Sequence, residues 1–311
     1  MSERSAVAER AGVDARRDVA APTTVAARAG PWHTRPGRLR CAVGGAVVVL
    51  LLAVAALAPL LAPASPDSQD LLRRLTPPAW MPGGSAANVL GTDHLGRDIL
   101  SRIVHGARIS AIVGVVAVLV SGVLGTTLGL VAGYYGARVD LVVMKLVELF
   151  LTIPFVLLAL VVMALFGQGL AILIVVLCLN RWIHYARVVR GDVLSLRERE
   201  FVAGARALGA SNARIIARHV LPNTVASLSV VTTFSLATII LIEASLSFLG
   251  LGVPPTTPTW GGMLNESRSY MMPSWWTSVF PGLAIFVTVL GVNLLGDGVR
   301  DAFDPRLKKK A

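Results

Sequence analysis

The sequence predicts an all-α, polytopic membrane protein with six transmembrane helices, and three observations predict it. Apolar residues make up 54% of the 311 residues, and the mean hydropathy of +0.68 is more than one soluble core would hide. Charge-poor apolar runs recur, several reaching the ~20 residues that cross a hydrocarbon core of about 30 Å. Gly, Pro and charged residues cluster between those runs.

The first run, 41–61, is nearly unbroken and carries no charge. The 40 residues before it make too long a leader for a cleaved signal peptide, so it reads as an anchor that stays. Further runs follow at 110–132, 141–166, 170–185, 224–249 and 279–295. Orientation comes from Lys and Arg, which accumulate on the inner side of membrane spans. With the N-terminus inside, 23 of the 29 fall on that side, which favours N-in, C-in. The formal net charge of +11 then marks a face beside anionic lipid rather than a nucleic-acid surface. Cys41 and Cys178 lie at different depths, so neither a disulfide framework nor a zinc site follows.

Residues 1–38 are rich in Ala, Arg and small polar residues without helical or strand periodicity, which predicts a disordered leader. The outer segment 62–107 opens Pro-rich and runs irregularly through Pro77, Pro78, Pro82, Gly83 and Gly84. Beyond Asp93, Leu95, Ile99, Leu100, Ile103 and Val104 recur at helical spacing, with Arg97, Asp98, Ser101 and Arg102 elsewhere. That pattern predicts an amphipathic helix on the outer interface, with a plain polar approach to the second span as the alternative. Asp98 and Arg102 are one turn apart and placed to pair, at about 0.3–0.5 kcal/mol in a solvated setting. Asp93, Arg97, Asp98 and Arg102 are together a candidate outer gate.

In the second span Gly125, Gly129 and Gly133 follow at four-residue intervals, leaving one face bare for close approach of another helix. Glu148 and Glu243 are ionisable residues inside spans, where each costs roughly 2.5–3.5 kcal/mol unless it faces protein or water. They are candidates for a translocation path or an intersubunit contact; a carboxylate satisfied by a neighbouring helix is the structural alternative, and Lys145 is placed to pair with Glu148. The outer loop 253–281 carries Trp260, Trp275 and Trp276, a docking region or an interfacial belt.

The most informative segment is 199–223, REFVAGARALGASNARIIARHVLPN. Phe201, Ala205 and Leu208 share a helical face, Gly209 supplies the left-handed residue that ends a helix, and Ser211 caps the next. Ile215, Ile216 and Val220 continue that helix and Pro222 interrupts it. Two short helices thus form an elbow on the inner face. A DNA-reading helix-turn-helix has a similar outline, but spans close on both sides would press DNA against the bilayer. An exposed elbow fits better in a groove of another protein.

The segment resembles the EAA loop of ABC importer permeases, on Ala203, Gly204, Ala205, Gly209, Leu221 and Pro222, with Leu208, Ala210 and Ser211 inside the same loop. The spacing is kept, whereas Ala203 stands where the family has Glu and Gly204 where it has Ala. The runs LGTDHLGRDILSR (90–102), GYYGARVD (133–140), EASLSFLGLG (243–252) and GDGVRDAFDPRL (296–307) narrow the resemblance to the dipeptide, oligopeptide and nickel branch. It implies the MetI-like fold of type I importer permeases. The chain then divides into a cytoplasmic leader (1–38), a first transmembrane helix (39–61) and an extracytoplasmic segment (62–107). A five-helix core (108–300) with a cytoplasmic coupling loop (188–222) and a tail (301–311) follow.

The resemblance also implies partners: a second homologous permease, one fused or two separate ATPases docking on the coupling loop, and an extracytoplasmic substrate-binding protein. The implied cargo is a dipeptide or short oligopeptide, with nickel or haem complexes open. Independently, no phosphate-cradling G-x-x-x-x-G-K-[ST] occurs and the lysines are Lys145 and Lys308 to Lys310, so ATP and Mg2+ are expected on partners. No H-E-x-x-H or G-x-S-x-G occurs either, so the chain is read as a transport subunit, not an enzyme, with no cofactor or metal of its own. The rival is an ion-gradient-driven secondary transporter or channel with Glu148 or Glu243 as proton site, whose inverted repeats and paired broken helices are not evident in the sequence.

Overall fold

Long apolar runs without Pro give long helices, and in the computed structural model, which describes residues 35–303, five helices are long and apolar enough to cross a membrane. Of the leader expected over residues 1–38, residues 1–34 lie outside the described residues, as does the tail beyond residue 303, and residues 35–38 already belong to the first helix. Helix α1 is Arg35–Ala56, followed by one further helical turn at Ala58–Leu61. Next come α2, Ile99–Tyr135, α3, Ala137–Thr152, α4, Phe155–Phe166, and α5, Leu170–Leu196. The short α6, Glu200–Ala207, and α7, Asn212–Ile215, lead into α8, Leu221–Phe248. Helices α9, Trp260–Ser267, and α10, Trp276–Phe303, complete the order. Among the described residues there is no strand, only an isolated bridge between Thr92 and Asp98.

Three expectations give way to local chemistry. The expected straight span 141–166 is broken: α3 and α4 meet at 87°. Pro154 has no N–H to donate and forces Ile153 into an extended conformation (φ −86°, ψ 120°). The expected interfacial helix over 95–104 is replaced by a turn at His94–Leu95, and α2 begins only at Ile99, capped by Asp98, which accepts from the Ser101 amide at 2.8 Å. Its polar residues face inward, because Arg97, Asp98 and Arg102 find partners there. In the elbow, the second short helix is not separate. It runs through a π-helical turn at Ile216–Val220 into α8, giving a continuous helix from Asn212 to Phe248. Pro222 lies in the first turn of α8 beside that bulge, so it does not interrupt the helix.

The bundle is organised by bare helix faces. A Cβ on Gly129 would lie 2.6 Å from the Ala186 carbonyl and one on Gly133 2.7 Å from Val193 Cβ, and one on Gly125 would collide with the Trp182 carbonyl. Helices α2 and α5 therefore touch backbone to backbone, as the Gly spacing predicts. A second seam, which the sequence analysis did not pick out, joins α1 to α10: Gly44 lies against Leu295, Gly291 against Val47 and Gly298 against Cys41. Between the seams Val113, Ala117, Leu173, Val176, Leu177 and Ile239 form a closed apolar core of α2, α5 and α8.

The seam makes a paired prediction. Gly129→Ala should destabilise the protein by about 1–3 kcal/mol through overpacking against the α5 backbone. Gly191→Ala, on the open side of α5 where nothing lies within 4 Å, should be neutral or stabilising by up to about 1 kcal/mol. Thermal unfolding of both variants in detergent separates a seam from generic helix propensity.

Candidate functional site

Two groups of sequence-selected residues come together at opposite ends of α2, which at 1.5 Å per residue is about 55 Å long. At its C-terminal end sits the elbow. Helix α6 ends where Gly209 takes φ +78°, and the amides of Leu208 and Ala210 close on the carbonyls of Gly204 (3.0 Å) and Ala205 (3.1 Å). Ser211 caps α7, accepting from the Arg214 amide at 3.4 Å. One side of the elbow is an anchor: Val202 and Ile215 are fully buried among Leu130, Tyr134, Val189 and Val193, and Tyr134 Oη donates to Asn212 Oδ1 at 2.9 Å.

The other side faces out. Phe201 is 43% and Leu208 90% exposed, with Ala203 and Gly204 also exposed and Ala205 half-buried. Phe201, Gly204, Ala205 and Leu208 follow at i, i+3, i+4 and i+7, which is the spacing of an apolar stripe, but here Phe201, Gly204 and Leu208 are exposed and Ala205 alone of the four packs against the cluster beneath. Nothing lies within 4 Å of a Cβ built on Gly204, so packing does not require glycine there. Leu221 is half-buried and Pro222 exposed, at the root of α8.

At the N-terminal end of α2 lies a buried charge cluster. Asp93, Arg97, Asp98 and Arg102 are 2–6% exposed. Asp93 Oδ2 accepts from Arg97 Nε at 2.6 Å and from Arg102 Nη1 at 2.5 Å. Both guanidiniums also reach Glu266 Oε2 on α9, at 2.5 Å from Arg97 and 2.7 Å from Arg102. Asp98 stands apart from these ion pairs: it caps α2 and accepts from Asn88 Nδ2 at 3.0 Å, so the expected Asp98–Arg102 pair is replaced by Arg102 with Asp93 and Glu266. Glu266 is not among the residues the sequence pattern singles out, although it is the sole acidic residue between 244 and 296. His94 stacks on Tyr270 with ring centroids 5.3 Å apart.

The same end buries the tryptophans. Trp260 and Trp276 are 2% and 5% exposed and donate to the carbonyls of Ile103 (2.9 Å) and Thr92 (3.3 Å). They are core pins, not an interfacial belt; Trp275 is the exposed member. Glu148 is exposed on α3 and pairs with Lys145 at 2.8 Å. Glu243 is fully buried between α2 and α8, accepting from Ser247 Oγ at 2.8 Å and Ser110 Oγ at 3.4 Å.

Burial alone would push the Asp93 carboxyl up, but the Arg102 and Arg97 charges and the amides of Arg97 and Leu95 outweigh it and hold the carboxyl below its ordinary 3.8. A depressed carboxylate stabilises the fold at pH values above its unfolded value and loses that contribution as pH falls through the folded one. Asp93→Asn should therefore destabilise the protein by about 3 kcal/mol at pH 7, since it breaks a buried pair. The gap to wild type should narrow only below pH 3.8, which thermal unfolding of both proteins across pH measures.

Comparison with known proteins fits this architecture. Residues 125–309 match the family of binding-protein-dependent transport system inner membrane components, and residues 41–78 match the N-terminal TM domain of oligopeptide transport permease C. The chain is 43% identical over 271 residues to the di/tripeptide transport system permease protein DppC of Pseudomonas aeruginosa (strain UCBPP-PA14), covering 87% of this chain and 89% of the relative. It is 42% identical to the dipeptide transport system permease protein DppC of Escherichia coli (strain K12), covering 89% and 93%. With the glutathione transport system permease protein GsiD of Escherichia coli O6:K15:H31 (strain 536 / UPEC), identity is 44% over 89% and 91%. An inward-facing structure of the MetNI methionine ABC transporter shares the fold, with TM-score 0.54, 22% identity, and coverage of 64% of this chain and 95% of that one. The chain belongs to the family of binding-protein-dependent transport system inner membrane components, as a multi-pass permease subunit of the inner membrane.

Proposed function

We propose that the chain lies N-in, C-in and forms, with a second homologous permease, the translocation path of an ATP-driven importer of dipeptides and short oligopeptides. ATP and Mg2+ are bound by cytoplasmic ATPase subunits, and an extracytoplasmic binding protein delivers the cargo. The observation that carries the reading is the outward apolar pair of the elbow, Phe201 and Leu208, held on a buried base of Val202 and Ile215. An exposed apolar helix face on a rigid base suits insertion into a cleft of a partner. Residues 203–211, with Leu221 and Pro222, are then the coupling surface. The cargo class follows the relatives, which are named as permeases for dipeptides, di/tripeptides and glutathione.

The charge cluster of Asp93, Arg97, Arg102 and Glu266 works as a fixed frame for the outer mouth, because each carboxylate is shared by both guanidiniums. Glu148, exposed on the broken helix pair, is open to a second permease or the path. Glu243 is enclosed by the chain's own helices and acts from inside the bundle. An ion-driven carrier calls for broken helices in corresponding positions of two halves; among the described residues one pair, α3 and α4, is broken.

Leu208→Asp should remove the apolar contact without disturbing the fold, since Leu208 is 90% exposed. Purified from native membranes in mild detergent, the variant should keep the second permease and lose about tenfold or more of the ATPase, the factor that about 1.4 kcal/mol of binding represents. Wild-type protein that purifies with no ATPase overturns the importer reading, and unchanged ATPase on L208D overturns the assignment of the elbow.

A further inference from the structure

Between the elbow and α8 the helix holds one residue more than α geometry would place there. The Leu221 amide donates to the Ile216 carbonyl, five residues back, across the turn Ile216–Val220, where an α-helix bonds four back. Single π turns of this kind are rare and recur at functional positions. This one lies within a helix continuous from Asn212 to Phe248, between the exposed part of the elbow and the long span.

The turn is fixed from two sides. At its C-terminal end stands Pro222, which has no N–H to offer a carbonyl of the preceding turn. Asn223 Nδ2 donates to the His219 carbonyl at 2.6 Å, and Thr224 Oγ1 donates to the Leu221 carbonyl at 2.9 Å, so side chains serve the backbone acceptors there. On its inner side the turn brings residues five apart onto one floor. Ile215 and Val220 are both fully buried in the cluster with Val189, Val193 and Val202, and Ile216 and Leu221, again five apart, pack against the same cluster. On a regular α-helix Ile215 and Val220 would point about 140° apart, and one of them would leave the floor.

We propose that this one-residue register sets the rotational position of the elbow relative to α8, and that Pro222 and Asn223 are positioning residues through which a movement imposed on the elbow by the ATPase reaches the span. The inference rests on the importer reading above and adds how the elbow is tied to the bundle. Closing the π turn to α geometry would remove one residue of twist, about 100°, and about 1.5 Å of rise between elbow and α8. The elbow is pinned to α2 and α5 through Val202, and α8 is pinned through the buried Thr224, Ser235 and Ile239. Those two anchors admit one register between them, and the π turn supplies it. Asn223 holds the turn with a donor. Asp, of the same shape but acceptor-only when ionised, cannot make that bond, whereas the hydroxyl of Ser can reach a carbonyl four residues back.

The register is read first, in membranes that hold the full chain and its second permease, on a C41S, C178S background. Ile215→Cys and Val220→Cys should each react with a water-soluble maleimide about tenfold or more slowly than Ala217→Cys, because Ala217 is exposed. Either buried position reacting as fast as Ala217→Cys overturns the proposal. Coupling is then measured on the complete transporter, with second permease, ATPases and binding protein, in liposomes with labelled dialanine as cargo. N223D is expected to keep its partners and its ATP hydrolysis, while dialanine uptake per ATP falls about fivefold, the shift that one neutral hydrogen bond supports. N223S should restore the ratio, and P222A/N223A, which supplies an N–H and removes the cap, should lose about tenfold or more. An N223D ratio equal to wild type overturns the proposal, and so does N223S failing as N223D does. Loss of the ATPases from the N223D complex also overturns it, by giving Asn223 to the docking surface. A wild-type complex without ATPase and without uptake defeats the importer reading itself, whereas normal wild-type transport with indifferent N223D and P222A/N223A defeats this proposal alone.

Discussion

The contact on which the rest of the molecule depends is the backbone approach of α2 to α5 along Gly125, Gly129 and Gly133. In a bilayer, apolar side chains gain little by leaving lipid for one another, so helix pairs are held by close packing, and bare faces allow the closest. The seam fixes more than two helices. It sets Tyr185 against Gly122, presents Val189 and Val193 as the floor on which the elbow rests, and aligns α8 against both helices through Ile239 and Leu246. Without it the elbow would have no rigid base.

The two ends of α2 solve opposite problems. At the charge cluster, three buried ionised groups, Asp93, Arg97 and Arg102, meet the half-buried Glu266, an arrangement that is costly unless each charge is matched. The match is made by sharing: Asp93 and Glu266 each take both Arg97 and Arg102, so the irregular chain before α2 is locked to α9 without an element of regular structure. At the elbow the apolar surface that folding would ordinarily hide is left outside, while Val202 beneath it is fully buried. One end is closed by electrostatics within the chain, and the other leaves Phe201 and Leu208 exposed.

What was legible in the sequence follows from the range of each signal. Apolar runs, the Gly repeat and the Gly209–Ser211 turn are local patterns, and they gave the helical class, the α2–α5 seam and the elbow. Glu266 was not legible, because its partners Arg97 and Arg102 lie more than 160 residues away and no spacing rule connects them. The inward turn of the Asp93–Arg102 stretch was misread for the same reason: an amphipathic pattern says which side is polar, not whether water or a buried carboxylate meets it. The break between α3 and α4 was written in Pro154, but the strongly apolar run around it masked the local rule. Trp260 and Trp276 were read as interfacial by residue type, whereas their indole N–H groups reach backbone carbonyls inside the fold.

Helix α5 ties these features into one mechanical unit. Its C-terminal half bears the elbow through Val189 and Val193, its middle holds Arg181 and Tyr185, and its N-terminal half packs through Leu173, Val176 and Leu177 into the core shared with α2 and α8. A helix continuous over 27 residues and fixed along one face to α2 cannot bend freely at Arg181. A load applied at Leu208 is therefore carried by α5 and α2 together as a rigid body. The floor beneath the elbow and the apolar core shared with α2 and α8 thus belong to one helix, so the position of the elbow is tied to the packing of the whole bundle.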